Sequence, residues 1–297
     1  MYINNNSMSA NVANTLTSHY GNLATSTQRL STGLRINSAA DDAAGLAIRE
    51  LMRSDITAMQ QGIRNANDAI SLLQTADGAL SIIDEKLIRM KELAEQAATG
   101  TYDSVQRLMI DSEYQQMASE ITRIANATDF NGIHLLNGNL SAETHNGSTL
   151  ENASSPGKMK IHFGTANDSS EDYYYIQIGT STASALGLGN NADEAHLGHN
   201  ISTQQAAQQA LVAIDRAIVS KDKIRAHLGA LQNRLENTIS NLTTQAENLQ
   251  AAESRISDVD VATEMTNFVR NQILTQSAVA MLSQANSMPQ MAMQLIG

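Results

Sequence analysis

The 297-residue chain contains no cysteine, no tryptophan and only two prolines, Pro156 and Pro289. Aromatic residues are 3% of the chain, and wide compact cores rely on large rings, so we do not expect a thick globular core. The scarcity of proline leaves long stretches of Ala, Leu, Ile and Met free to form uninterrupted helices. The absence of cysteine excludes disulfide bridges and fits either a cytosolic protein or one that is exported unfolded.

The charge balance and the first six residues argue against further classes of protein. The net charge is -11, and the sequence has neither a basic stripe nor an aromatic platform, so we expect no nucleic-acid partner. Residues Met1–Asn6 lack the basic and apolar regions of a cleaved signal peptide. No apolar run approaches the roughly 18 to 20 residues of a membrane span, so we expect no membrane insertion.

Both ends of the chain are almost free of charge. No Asp, Glu, Lys or Arg occurs from Met1 to Gln28, where only His19 can titrate, and none occurs after Arg270. A helix that faces water usually carries charged residues on its outer face. Both end segments are therefore expected to be surrounded by other protein.

The same two segments carry heptad patterns, which are typical of helices that pack along a partner helix. Near the start, Leu16, Leu23 and Leu30 are spaced by seven, with Ala13, Tyr20, Thr27 and Leu34 at the second position. Near the end, steps of four and three join Leu274, Ala278, Met281, Ala285, Met288, Ala292 and Leu295. We predict that the ends pair with each other and then with further copies through a self-assembly seam of Leu16, Leu23, Leu30, Leu274, Met281, Met288 and Leu295.

The sequence between the two end segments predicts a helical rod made of residues 43–140 and 201–255. The residues between these two parts differ from them in composition. In residues 141–200 Gly, Asn, Ser and Thr rise, and two alternating segments, 159–163 and 174–178, predict a β-hairpin. The predicted fold is mainly α: a long antiparallel helical-bundle rod with paired terminal coiled-coil helices, 1–42 and 256–297, and a small β-hairpin lobe in the middle.

No group of residues predicts catalysis. Asp41 and Asp42, with Ser38 before them, fit a helix start better than a catalytic pair. The sequence offers no Gly-rich phosphate loop and no nucleophile beside a base, so we expect no enzyme and no cofactor.

Two patterns in residues 141–200 are only weak indications of a functional site. His196 and His199 lie three residues apart, but the Gly-rich context without cysteine does not favour a metal site. The Asn-x-Ser sequences at Asn146 and Asn152 are explained by the abundance of Asn and Ser.

Several sequence segments, taken in their order along the chain, resemble bacterial flagellins. They are Leu30–Ile48 (LSTGLRINSAADDAAGLAI), Leu93–Gly100 (LAEQAATG), Phe130–Gly132, Leu228–Arg234 (LGALQNR), Ser254–Asp260 (SRISDVD) and Gln284–Gln290 (QANSMPQ). The resemblance covers about residues 1 to 140 and 200 to 297, and it implies a short form with a reduced variable middle. It further implies a subunit that polymerises into the flagellar filament for swimming motility, with the paired terminal helices forming the inner core.

The resemblance also implies partners and a location. The main partner would be the chain itself, as a helical homopolymer in the extracellular flagellum, together with hook-junction and cap proteins. Export would follow the flagellar type III route without a cleaved signal peptide, with an export chaperone on the C-terminal helices. A patch that an animal Toll-like receptor reads in the family matches Arg89, Leu93 and Glu120 here; the same residues also suit lateral filament contacts.

Two alternatives to a filament subunit remain to be compared. A hook-filament junction protein of the same axial family shares charge-free seamed ends, although the phrases around Asp41, Phe130 and Asp258 favour the filament subunit. A membrane-active helix at 281–295 would need Lys or Arg on its polar face, and that face has none.

Overall fold

The computed structural model describes residues 6–141, 157–168, 171–189, 198 and 200–296, with side chains in the last helix as far as Met291. The described residues form five helices and two small antiparallel hairpins, so the mainly α fold class is confirmed. The chain divides into two compact units. The terminal unit comprises residues 1–56 and 246–297, and the central unit comprises residues 57–245.

The secondary structure follows the predicted order. The elements are α1 (Ser7–Thr32), α2 (Ala43–Ala98), α3 (Ser104–Ala127), β1 (Asp129–Phe130), β2 (Ile133–His134), β3 (Met159–His162), β4 (Tyr173–Ile176), α4 (Gln204–Ser257) and α5 (Val261–Ile296). The predicted limits at residues 42, 140, 201 and 256 stay predictions. The boundaries between the two compact units follow residue 56 and precede residue 246.

Polar caps explain where the first helices end and begin. Gly33, at φ 73°, ends α1 and donates its N–H to the carbonyl of Arg29 at 2.8 Å. Asp42 accepts the N–H of Gly45 at 2.8 Å and so caps α2. Asp41 instead accepts the backbone N–H groups of the preceding turn, so the two acids have separate structural roles.

The terminal unit is built on the antiparallel pair of α1 and α5. The segments beside these helices join through a bridge between Leu34 and Asp258. Arg35 donates its N–H to the Ser257 carbonyl at 2.7 Å, and Val259 donates to the Gly33 carbonyl at 3.0 Å. Within this unit, these bonds join the segment between α1 and α2 to the segment between α4 and α5.

The core of the central unit comes from α2, α3 and α4. The connection between α2 and α3 is short, and Asp103 and Gln106 form a capping box at the start of α3. Fully buried side chains from the three helices include Leu80, Ile83, Leu87, Met90, Tyr114, Ile121 and Ile214. Their heptad spacing therefore reflects helix packing inside one subunit.

Ion pairs between α2 and α4 recur every seven residues along α2. They join Asp77 to Arg225 at 2.7 Å, Asp84 to Lys221 at 2.5 Å and Lys91 to Asp215 at 2.7 Å. The Lys221 side chain is 2% exposed, and it also lies 2.8 Å from Asp222. This buried lysine occupies the point at which the apolar pattern of α4 is interrupted.

Two hairpins follow α3. The first, β1–β2, turns at Asn131 and Gly132 with φ angles of 52° and 80°, the positive values of a tight hairpin turn. The sequence analysis predicted no strands there. The second, β3–β4, is the predicted hairpin, paired from Met159↔Ile176 to His162↔Tyr173. Its inner face packs against the central core, and Asn65 of α2 donates to the His162 carbonyl at 2.8 Å.

Tyr114 provides a test of the buried polar contacts. Its hydroxyl donates to the Gly198 carbonyl at 2.8 Å, and burial raises the pKa of the phenol well above its usual range, so it stays a donor at neutral pH. Tyr114→Phe is expected to lower the free energy of unfolding by about 1–2 kcal/mol, because the buried Gly198 carbonyl loses its shorter hydrogen bond and keeps only the N–H of Gly189 at 3.4 Å. Urea unfolding followed by circular dichroism measures this change. Tyr102→Phe, at an exposed hydroxyl, should stay within about 0.5 kcal/mol; equal losses in both variants would contradict the prediction.

Candidate functional site

The paired terminal helices are the candidate site, and polar contacts fix their antiparallel arrangement. Asn6 caps α1 by accepting the Ser9 N–H at 3.1 Å, and its side-chain amide donates to the Ala285 carbonyl at 2.8 Å. The Ser9 hydroxyl donates to the Asn286 side chain at 2.8 Å. The start of α1 therefore lies beside the last turns of α5.

The inner face of α1 agrees only in part with the predicted seam. Leu16, Leu23 and Leu30 are half-buried, as a seam position requires. The positions between them are His19 and the buried Ser26, whereas Tyr20 is 52% exposed. The expectation that Tyr20 lies in the seam is therefore wrong for this pair. From Leu16, a heptad can continue through His19 and Ser26 or through Tyr20. The large side chain of Tyr20 favoured the second series, but the structure has the first series in the seam.

The inner face of α5 differs more. From Glu264 to Ala285, the buried or half-buried positions that follow each other at steps of four and three are Glu264, Phe268, Asn271, Thr275, Ala278, Leu282 and Ala285. Of the predicted series, Ala278 and Ala285 lie inside, but Leu274 and Met281 are 38% and 55% exposed. Met288 is half-buried, and the Leu295 side chain lies outside the described part of the chain. The large predicted seam residues therefore do not all face α1, and their role in assembly stays a prediction.

The subunit leaves a large apolar surface on α5. Its exposed apolar residues, each 43–56% exposed, are Met265, Val269, Ile273, Val279, Met281 and Met291. No charged side chain follows Arg270, so the last 27 residues offer water only apolar and neutral polar groups. Exposed apolar surface of this extent marks a region that contacts protein or membrane.

The predicted receptor patch lies in the central unit. Arg89 donates to Glu113 at 2.8 Å and to Glu92 at 2.9 Å, and these bonds raise the pKa of its guanidinium. Glu120 accepts from Arg123 at 2.6 Å, which lowers the pKa of Glu120. Leu93 is 1% exposed and belongs to the core. Of the three predicted residues, only Arg89 and Glu120 are therefore accessible on the subunit.

The described residues provide no alternative site. Among them, no group of three or more His, Asp or Glu side chains could hold a metal ion. His196, His199, Asn146 and Asn152 lie outside the described residues. None of the helices in the described ranges combines the length and apolarity needed to cross a membrane.

The fold and the site together define a class of protein: an α-helical subunit whose charge-free ends pair and present an apolar face. Residues 3–141 match the family model of the bacterial flagellin N-terminal helical region, and residues 211–296 match that of the C-terminal helical region. The chain therefore belongs to the bacterial flagellin family.

Relatives along the whole chain agree. The flagellar filament 33 kDa core protein of Treponema phagedenis is 42% identical over 296 residues, and the flagellin of Bacillus subtilis strain 168 is 40% identical over 306 residues; both alignments cover 100% of each chain. A solved structure described as a flagellar hook-associated protein, from Vibrio parahaemolyticus, has a TM-score of 0.56 and 14% identity and covers 73% of this chain and 100% of its own. That likeness concerns the fold alone, so the junction alternative is not better supported.

Proposed function

We propose that this chain is a structural subunit that polymerises into the bacterial flagellar filament, and that α5 forms its main contact with other copies. The observation that carries the proposal is the uncharged, exposed apolar face of α5 on a chain that belongs to the flagellin family. One face of α5 is used by α1 of the same subunit. The other face has apolar area available for a second copy.

The lack of charge has a physical reason in a polymer. If each copy carried like charges in a closely packed interior, they would repel, and burying unpaired charge is costly. An apolar and neutral surface gains free energy on burial without that cost. Repeating one such surface on identical subunits favours an extended helical assembly when the contact does not close.

The export route and the accessory partners are part of the same proposal. Flagellar filament proteins belong to the extracellular flagellum. The chain would be exported unfolded by the flagellar type III route, with a chaperone covering the apolar face of α5 beforehand. Contacts with hook-junction and cap proteins would use the same end helices. We expect no catalytic activity and no cofactor.

The patch around Arg89 and Glu120 is proposed as a second contact surface. Both side chains are partly exposed and already paired, so a partner would meet a hydrogen-bonded surface of two arginines and three glutamates. A Toll-like receptor or a neighbouring subunit that binds there would not touch the buried Leu93. Arg89→Ala and Glu120→Ala variants, compared in receptor binding and in filament formation, separate these two partners.

Truncation tests the proposed function directly. The full chain, given a precipitating salt or short filament seeds, is expected to form uniform tubes by electron microscopy. A chain that ends at Asn271 loses most of the apolar face and should stay monomeric under the same conditions. If the full chain also stays monomeric with seeds, the filament proposal fails and a junction role is favoured. A count of copies per flagellum then decides between the two roles. A filament subunit is present in thousands of copies, whereas a junction protein forms about a single ring.

A further inference from the structure

Methionine supplies all the sulfur of this chain, which has 13 methionines and no cysteine. Oxidants of the peroxide class attack exposed thioethers, and in this chain no thiol competes with them. Among the side chains that the structure describes, the most exposed methionines are Met8, Met109, Met265, Met281 and Met291, each 45–69% exposed. Three of these five lie on α5, the helix that we assign to contacts between copies.

The pairing of α1 with α5 leaves all three of these side chains accessible. Each stays about half exposed while the two helices are in contact, so an oxidant reaches it without opening the pair. Exposed valines, Val261 and Val269, lie one turn before and one turn after Met265. Met281 and Met291 belong to the last part of α5, which has no charged side chain. The three thioethers are therefore part of the apolar surface that the subunit presents.

We propose that Met265, Met281 and Met291 are oxidation sites through which hydrogen peroxide prevents contacts between copies. At each site one S–O bond forms and the O–O bond of the peroxide breaks. The sulfur is oxidised by two electrons, and the peroxide is reduced to water. The product, methionine sulfoxide, has a polar S–O group that accepts hydrogen bonds, whereas the thioether is a soft apolar group.

The consequence for assembly rests on the proposed function. A contact between copies removes this surface of α5 from water, and a sulfoxide then loses the water molecules that donate hydrogen bonds to it. The side chains of Val261 and Val269, beside Met265, offer no donor in exchange. Burying a polar group without a hydrogen bond is unfavourable, so each sulfoxide weakens the contact. Because all copies are identical, the same loss recurs at every subunit that is added.

Peptide mass spectrometry of the subunit after limited peroxide treatment measures the oxidation rate at each methionine. The three methionines of α5 should react within about threefold of the rate at Met109, which is 69% exposed in the central unit. They should react at least about tenfold faster than Met90, which is fully buried in the central core. Helix content by circular dichroism should not change, since none of the three is buried between α1 and α5.

Seeded assembly of the treated subunit, after removal of the peroxide, measures the effect on contacts between copies. The critical concentration should rise at least about tenfold relative to the untreated subunit. Methionine sulfoxide reductases, one for each sulfoxide epimer, reduce the product back to methionine and should restore the original value. Filaments that form before peroxide is added should keep the three methionines of α5 unoxidised, because the contacts between copies then cover them.

A variant without these thioethers assigns the effect to them. The triple variant Met265→Leu, Met281→Leu and Met291→Leu keeps apolar side chains of similar volume, so it should assemble as the parent does. After the same peroxide treatment, its critical concentration should change by less than about twofold, because leucine is not oxidised. The control variant Met8→Leu and Met109→Leu removes the two exposed thioethers outside α5, and it should stay as sensitive to peroxide as the parent.

Two results would overturn this inference alone. One is a treated parent that carries all three sulfoxides and still assembles at its untreated critical concentration. The other is a triple leucine variant that loses assembly after treatment as the parent does, which places the sensitive group elsewhere. An untreated parent that stays monomeric with seeds contradicts the proposed function itself, and the inference fails with it. The untreated sample therefore separates the two failures.

Discussion

Ile273→Glu is expected to prevent filament formation while leaving the α1–α5 pair in place. Ile273 is 56% exposed on the subunit and lies on the apolar face of α5 that we assign to contacts between copies. A carboxylate there meets water in the monomer and low-dielectric protein in the polymer. Its desolvation opposes every added subunit by several kcal/mol, so the critical concentration for seeded assembly should rise at least about 100-fold.

The measurement is sedimentation of polymer from seeded solutions over a range of subunit concentrations. Ile273→Gln has the same place and a similar size without charge, and it should raise the critical concentration much less. Val279→Glu, at a residue that is 47% exposed on the same helix, should behave as Ile273→Glu does. Helix content by circular dichroism should be equal in all variants. Assembly of Ile273→Glu at the parent's critical concentration would remove this face of α5 from the interface.

The helices were predictable because heptads, capping residues and the scarcity of proline all favoured them. The hairpin β3–β4 was predictable from alternation, since one face had to pack against the helices. Strands β1 and β2 were missed because two residues are too few for a pattern. Their turn at Asn131 and Gly132 was the available signal, since such dipeptides join hairpins.

The orientation of α5 could not be read from the sequence. Its apolar residues occur on more than one side, so the series through Leu274 and Met281 and the series through Thr275 and Leu282 both have heptad spacing. Only the position of α1 shows which series is inside. A helix that packs against its own chain on one side and remains apolar on another has no single periodic signal.

Buried charges were missed for a related reason. A lone lysine or glutamate predicts a solvated position, and only a partner distant in sequence changes that expectation. Lys221 needs Asp84, and Glu264 needs Arg29; both partners lie on other helices. Leu93 shows the opposite error. The resemblance to flagellins implied a surface role for this side chain, but it is buried in the core.

Gly62→Ala is expected to destabilise the central unit by about 2–3 kcal/mol, as overpacking of a close contact does. A Cβ at Gly62 would lie 2.0 Å from the carbonyl oxygen of Phe163. That oxygen belongs to the backbone just after β3, so no side-chain rotation can relieve the clash. The nearby bond from Asn65 to the His162 carbonyl holds the same strand end against α2.

The matched control lies on the same helix and reverses the sign. A Cβ at Gly78 meets no atom within 4 Å. Gly78→Ala should therefore stabilise the protein by about 0.5–1 kcal/mol through helix propensity alone. Urea unfolding gives both values, and hydrogen exchange of the amides in β3 and β4 shows whether the loss at Gly62 comes from displacement of the hairpin. If the two variants are equally stable, the hairpin does not pack on α2 at Gly62. If Gly62→Ala is less stable but the β3 and β4 amides stay protected, the strain lies in α2 itself, because the hairpin has then kept its place.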